Sequence, residues 1–298
     1  MSAFRLALAL STLLAWSAGC SLRSGQGPAS ADVDLASSSP PGHDGESDSA
    51  APPTGPADAA DADRVRHPLP PIPGDPLFTN LAISGFPPAV VSVPNGATSA
   101  RPVLVGLHGS GDRPDWNCDA WRHITSARGF ILCLRGAYVP SESTKDDLRY
   151  THHGGAYLRS HLEAALEALE RRFAGYVDAE RPVMTGFSLG ATEIGQLATS
   201  DPARFPRVAQ VEGGHTVWTS ASVGAFAAGG GARVLFACGS RWCLPPAKAA
   251  AGRLANSGVE ARVVFADVGH TTARPLQEAI MRELAWWLEG DRRWAPFP

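Results

Sequence analysis

From about Leu77 to Pro298 the chain predicts an α/β fold, a mainly parallel central sheet with helices on both faces. Two observations predict it. Short apolar runs alternate with helix-like segments, as parallel strands buried on both sides require. In addition, Gly186-Phe187-Ser188-Leu189-Gly190 stands between one such run, 181–185, and a helix-like stretch, 191–199. A serine at so tight a strand-to-helix turn takes strained backbone angles, and side chains at the flanking glycine positions would collide with the neighbouring strand or helix. With 298 residues, 44% of them hydrophobic, the chain can build one large domain or two small ones.

The strand-like runs are 89–93, 102–107, 130–134, 182–185, 208–211, 233–237 and 261–265. The clearest helix is 156–173. Its Leu158, Leu162, Leu166 and Leu169 share one face, while Glu163, Glu167, Arg171 and Arg172 fall elsewhere. Helices are also expected over 191–199, 246–256 and 275–288. No internal repeat is apparent.

The N-terminal part has a different composition. Residues 1–20 read as an export signal: Arg5, an apolar run from Leu6 to Trp16, then Ser17-Ala18-Gly19 before Cys20. That run is too short to span a bilayer as a mature helix. Small residues directly before a cysteine resemble a bacterial lipobox, in which the cysteine is lipidated and becomes the new N-terminus. Ser17 stands where that pattern prefers leucine, and an ordinary cleaved secretion signal is the alternative. Residues 21–76 are rich in Ser, Ala, Pro, Gly and Asp with scarcely an aromatic, a composition that cannot offset its ordering entropy. They read as a disordered tether, holding a folded domain of residues 77–298 clear of a membrane. The expected location is the cell envelope, with a lipid anchor at Cys20, or secretion in the alternative. A net charge of −3 gives no general reason to expect a nucleic-acid partner.

Setting Cys20 aside for lipid leaves four of the five cysteines, as an oxidising compartment favours. Four cysteines allow three connectivities, and the local pairs Cys118–Cys133 and Cys238–Cys243 are the natural ones. The first closes a loop of about 15 residues, a stabilisation on the order of 3 kcal/mol in the chain-entropy account. The spacings contain no Cys-x-x-Cys, so a zinc site is not expected, and no cofactor is expected either.

Three signals in order resemble the α/β-hydrolase superfamily, over essentially everything after the tether. The run 102–107 leads into His108-Gly109-Ser110-Gly111, similar to that family's His-Gly oxyanion loop. The turn at Ser188 follows the strand after the first long helix. His270, in Gly269-His270-Thr271, follows the run 261–265 and precedes the last helix. The resemblance implies Ser188 as nucleophile and His270 as the base that accepts its proton, because a serine hydroxyl is a poor nucleophile at neutral pH. It implies Leu189 N–H and Ser110 N–H as the donors that stabilise the developing oxyanion. His108 is then a loop-orienting residue.

The acid departs from the family pattern. Its usual place is the loop after 233–237, here Cys238-Gly239-Ser240-Arg241-Trp242-Cys243, and no Asp or Glu occurs between Gly213 and Val259. Glu212 ends the run 208–211 at the sheet edge where active-site loops gather, and some family members carry their acid there. Asp267 is the alternative acid, three residues before His270, and a Ser–His dyad is the third possibility; Glu260 begins its strand and so belongs to the opposite edge. His152 and His153 are expected to face solvent on the long loop 135–155, and His215 to be a loop residue near the pocket. Trp116, Trp121, Trp218 and Trp242 leave the active-site edge, and for each of them pocket lining and simple packing stay equally open.

The expected activity is serine hydrolysis of a small-molecule or polymeric carboxylic ester. Only about 20 residues separate Glu212 from Arg233, where relatives with a cap domain insert it. The chain therefore looks like the capless dienelactone-hydrolase-like and small carboxylesterase branches. A peptidase or thioesterase on the same scaffold is the alternative enzyme. A non-catalytic surface-anchored binding lipoprotein is the alternative outside enzymes.

Overall fold

The computed structural model describes residues 69–72 and 78–295. The export signal of 1–20, Cys20 and most of the 21–76 segment lie outside the described residues. Of that segment, residues 69–72 belong to the folded body: Leu69 N–H donates to Thr98 O at 2.8 Å, Ile72 N–H to Ala97 O at 3.1 Å, and Ile72 is buried.

In chain order the elements are β1 Phe78–Ile83, β2 Phe86–Ser92, β3 Arg101–Leu107, α1 Pro114–Ile124, β4 Phe130–Leu134, β5 Ala137–Tyr138, β6 Tyr150–Thr151, α2 Gly155–Arg172, β7 Val177–Phe187, α3 Leu189–Ser200, β8 Arg207–Val211, α4 Ser220–Ala228, β9 Arg233–Cys238, α5 Leu244–Asn256, β10 Glu260–Phe265, α6 Arg274–Met281 and α7 Leu284–Trp287. Eight strands form one sheet in the order β1-β2-β4-β3-β7-β8-β9-β10. The pairs β1/β2 and β2/β4 are antiparallel, and every other pair is parallel. The remaining two, β5 and β6, make a small antiparallel hairpin. This is the expected mainly parallel sheet, and it is the α/β-hydrolase fold.

Helices cover both faces because alternate strand residues point to opposite sides. Val103, Val105 and Leu107 of β3 pack with Leu158, Leu162, Leu166 and Leu169 of α2, Ile194 of α3 and Leu254 of α5. Leu104 of the same strand joins Trp121 and Ile124 of α1 and Ile280 of α6 on the other face. Each fully buried leucine contributes about 1.5–3 kcal/mol, so the four on α2 largely determine how that helix docks. Its last turn carries Arg171 and Arg172 against the negative end of the helix dipole.

The expected strands and helices are found, with differences of physical origin. Helix α1 lacks a side-chain N-cap, opens on Pro114 and buries the polar Asn117. The Ala/Gly/Ser-rich α4 has no amphipathic pattern and buries only Val223 and Phe226. The expected 275–288 helix breaks at Arg282–Glu283 into α6 and α7. Among the described residues no helix is long and apolar enough to cross a membrane.

Both expected disulfides are present: Cys118–Cys133 ties α1 to β4, and Cys238–Cys243 closes a loop at the end of β9. Non-reducing peptide mapping is expected to recover these two pairs and no cross-pairing. Replacing Cys118 and Cys133 together by Ala should cost on the order of 3 kcal/mol, read as a fall in the thermal unfolding midpoint. An unchanged midpoint would remove that bridge from the stability of the domain.

Candidate active site

Ser188 joins β7 to α3 with φ 52° and ψ −113°. A Cβ on Gly186 would lie 2.3 Å from Gly190 O, and one on Gly190 would lie 2.3 Å from Leu107 O, so only glycine fits at either position. Ser188 N–H donates to Val211 O at 2.9 Å, locking the turn to the end of β8. Ser188 is half-buried and lines a cleft of about 250 Å³ with Ser110, Asp112, Trp116, Arg149, Phe187, His270 and Thr271 among its walls.

Glu212 is the residue after β8, also at positive φ (55°), and only 1% exposed. Its N–H donates to Ala237 O at 2.9 Å. Its carboxylate accepts four hydrogen bonds. Gly239 N–H and Ser240 N–H (2.8 Å) address Oε1; Ser240 Oγ (2.6 Å) and His270 Nδ1 (2.8 Å) address Oε2. A carboxylate can be buried only with such a complement of donors. Asp267 lies elsewhere: half-exposed, it is held by Arg241 at 2.6 and 3.0 Å. The structure therefore brings Glu212, not Asp267, to His270. Glu260 pairs with Arg233 at the far end of β10, as its position in the strand requires.

The His270 ring has Phe187 at 4.9 Å and Trp242 at 5.6 Å between ring centroids, and Nδ1 is taken by Glu212, so Nε2 is the nitrogen left over. Ser188 and His270 share the cleft without a hydrogen bond between their side chains among the described residues.

The loop after β3 is built to hold its shape. Gly136 N–H donates to His108 Nε2 at 3.1 Å, which leaves the ring proton on Nδ1 to be donated to Gly109 O at 2.7 Å. Burial holds the His108 imidazole at a pKa of about 4 against the usual 6.5. The β5–β6 hairpin clamps the loop from outside. Asp112 and Tyr150 exchange backbone bonds at 3.2 and 3.0 Å, Arg149 donates to Gly111 O at 3.3 Å, and Ser110 Oγ meets Thr151 Oγ1 at 3.2 Å. A Cβ on Gly109 would come within 3.4 Å of Ser188 Cβ, so this loop lies directly against the Ser188 turn. Leu189 opens α3, where an N–H has no acceptor within its own helix. Ser110 stands on the cleft wall.

One expectation changes. His152 does not face solvent: it is buried against His108, 4.1 Å between ring centroids, and burial lowers its pKa well below the usual value; His153 is exposed. The tryptophans divide. Trp121 and Trp218 are core, the latter donating to Gln210 Oε1 at 2.6 Å, whereas Trp116 and Trp242 are 47% and 57% exposed beside the cleft and His270. His215 sits half-buried in a short turn after Glu212, its pKa lowered by burial against the pull of that carboxylate. Glu212, Cys238 and Cys243 lie close together, but the two sulfurs are bonded to each other and offer a metal no thiolate. Sequence reasoning missed Ser240, Asp112 and Arg149. For Ser240 a signal existed, a hydroxyl in the loop where the family's acid usually stands.

No protein-family model matches the chain, and no curated protein matches it in sequence. Solved structures do match in fold. The protein TT1662 from Thermus thermophilus superposes with a TM-score of 0.50 at 17% identity, over 72% of this chain and 98% of its own. A thermostable esterase superposes with a TM-score of 0.51 at 16% identity, over 72% of this chain and 63% of its own.

The buried histidines fix an acid sensitivity. A folded-state pKa below the unfolded value means that the unfolded chain binds the proton first. The stability contributed by neutral His108 is thus complete above about pH 6.5 and is lost as pH falls toward 4. The loss is on the order of 3 kcal/mol for His108, and His152 adds to it in the same direction. Thermal unfolding followed from pH 7 to 4 should show this decline, and it should be shallower in His152→Phe. An equal slope in that variant would deny His152 its part.

Proposed function

We propose that the chain is a serine hydrolase that cleaves carboxylic esters through an acyl-enzyme at Ser188. One observation carries the reading. A serine on a strained strand-to-helix turn shares a cleft with a histidine whose far nitrogen is bound at 2.8 Å by a buried carboxylate. The likeness in fold to a thermostable esterase agrees with it. In this reading Ser188 Oγ attacks the ester carbonyl carbon as its proton passes to His270 Nε2. Glu212 stabilises the imidazolium across Nδ1 without taking the proton. The carbonyl oxygen, now negative, is held by Leu189 N–H and Ser110 N–H, each worth about 2.7–4 kcal/mol in comparable sites. Collapse of the tetrahedral species breaks the C–O bond to the alcohol, which leaves with the proton from Nε2. Water then attacks the acyl carbon as its proton passes to Nε2; collapse breaks the C–Oγ bond, Nε2 returns the proton to Ser188 Oγ, and the carboxylic acid leaves.

A peptidase or thioesterase would use the same parts, and a panel of esters, thioesters and amides separates them. The alternative of a binding protein without chemistry was motivated by the carboxylate-free loop after β9, a motive weakened by the contact between Glu212 and His270. A fluorophosphonate should add mass to the peptide holding Ser188 and to none in Ser188→Ala; equal labelling of that variant would end the proposal. Glu212→Gln should keep the fold and lower kcat about 10⁴-fold, as in another triad with a neutralised acid, while Asp267→Asn stays near wild type. The reverse result would move the acid to Asp267, and two mild variants would make the site a Ser–His dyad.

We also propose that Cys20 is lipidated and anchors the domain at the cell envelope. Cys20→Ser should leave the membrane fraction with esterase activity intact. Unchanged partition of that variant would refute the anchor.

A further inference from the structure

The loop Cys238-Gly239-Ser240-Arg241-Trp242-Cys243 stands where the resembled family carries its acid, yet it holds no carboxylate. It supplies donors instead. The two backbone amides, Gly239 N–H and Ser240 N–H, both address Oε1 of Glu212. Among the described residues Oε2 has two partners: His270 Nδ1 at 2.8 Å and Ser240 Oγ at 2.6 Å. A carboxylate oxygen accepts and never donates, so the Ser240 hydroxyl proton must point at Oε2. Ser240 is 8% exposed, and the Cys238–Cys243 bridge closes the loop around it. The same loop meets the histidine loop, with Val268 N–H and Gly269 N–H both donating to Gly239 O at 2.9 Å.

These contacts are not interchangeable. With Oε1 pinned by amides, the carboxylate can still pivot about that oxygen unless Oε2 has a second fixed partner besides the imidazole it is meant to orient. The hydroxyl is that partner. We propose that Ser240 is a positioning residue, its hydroxyl holding Oε2 of Glu212 in line with His270 Nδ1. In effect the acid has been supplied from β8, and the vacated loop after β9 has become its cradle. The inference rests on the reading of Ser188, His270 and Glu212 as a triad.

The test uses the whole chain, p-nitrophenyl acetate as probe and the low-field proton NMR resonance of His270 Nδ1–H. Ser240→Ala should lower kcat roughly ten- to a hundredfold, the range for a hydrogen bond to a charged group, with KM unchanged. Ser240→Thr, which returns a hydroxyl, should recover most of the loss. In a Glu212→Gln background Ser240→Ala should cost no more than about twofold further, because it acts through the acid. The Nδ1–H resonance should shift in Ser240→Ala; if that variant does not fold, Ser240→Gly carries the same arms. The proposal is overturned if kcat stays within about twofold of wild type, if the loss is in KM, if it adds fully to that of Glu212→Gln, or if the resonance does not move. A wild type that takes no fluorophosphonate at Ser188 overturns the triad and this proposal with it. A labelled wild type with an indifferent Ser240→Ala overturns this proposal alone.

Discussion

The carboxylate of Glu212 is buried, and a buried anion is tolerable only if donors fill its oxygens. Much of the active-site edge follows from that constraint. Strand β8 must end where the backbone can turn at positive φ, β9 must deliver a loop whose amides face back across the sheet, and the loop after β10 must bring an imidazole to the same point. Removing any one donor leaves the others holding a charge that water cannot reach. The four contacts therefore behave as one unit, and each element that contributes is fixed by the rest.

Four described non-glycine residues take positive φ: Ser126 and Ala127 do so in the turn after α1, and the other two stand at neighbouring strand ends. Ser188 after β7 and Glu212 after β8 both take positive φ without being glycine, a conformation costing on the order of 1–3 kcal/mol each. They are coupled, since Ser188 N–H donates to Val211 O immediately before Glu212. Gly213 completes the arrangement, because a Cβ there would lie 2.6 Å from Ser188 O. The parallel ladder between β7 and β8, from Met184–Val208 to Phe187–Val211, holds both turns at one height. Ser188 and Glu212 are thus placed by register, not by loop packing.

How much of this was legible in the sequence depended on the range of the interaction. Strand β4, Phe130–Leu134, is buried throughout, so its unbroken apolar run marks its bounds; α2 is legible from the spacing of Leu158, Leu162, Leu166 and Leu169. Strand β1 was not, because its burial alternates weakly and its place depends on β2. Ser188 and His270 follow from local pattern and chain order, and Glu212 from elimination among few carboxylates. The cradle of Glu212 did not follow, for it depends on Gly239 and Ser240 meeting a side chain 27 and 28 residues earlier. The burial of His152 is likewise tertiary, since nothing in Thr151-His152-His153 says which ring will lie on His108.

The cleft is open. Between β8 and β9 the chain makes only a short turn, His215–Val217, and α4, neither of which lines the cleft. Closure by a cap is therefore not what sets the catalytic geometry in the proposed reaction; preorganisation must come from rigid neighbours. The chain provides them on every side: the His108 and hairpin bonds under the oxyanion loop, the glycines around Ser188, and the disulfide-closed loop beneath Glu212. Trp242, projecting from that same loop onto His270, shields one face of a ring whose side chain is otherwise 41% exposed. In the proposed reaction the charge that forms on the imidazole then meets an aromatic face on one side and a carboxylate on the other.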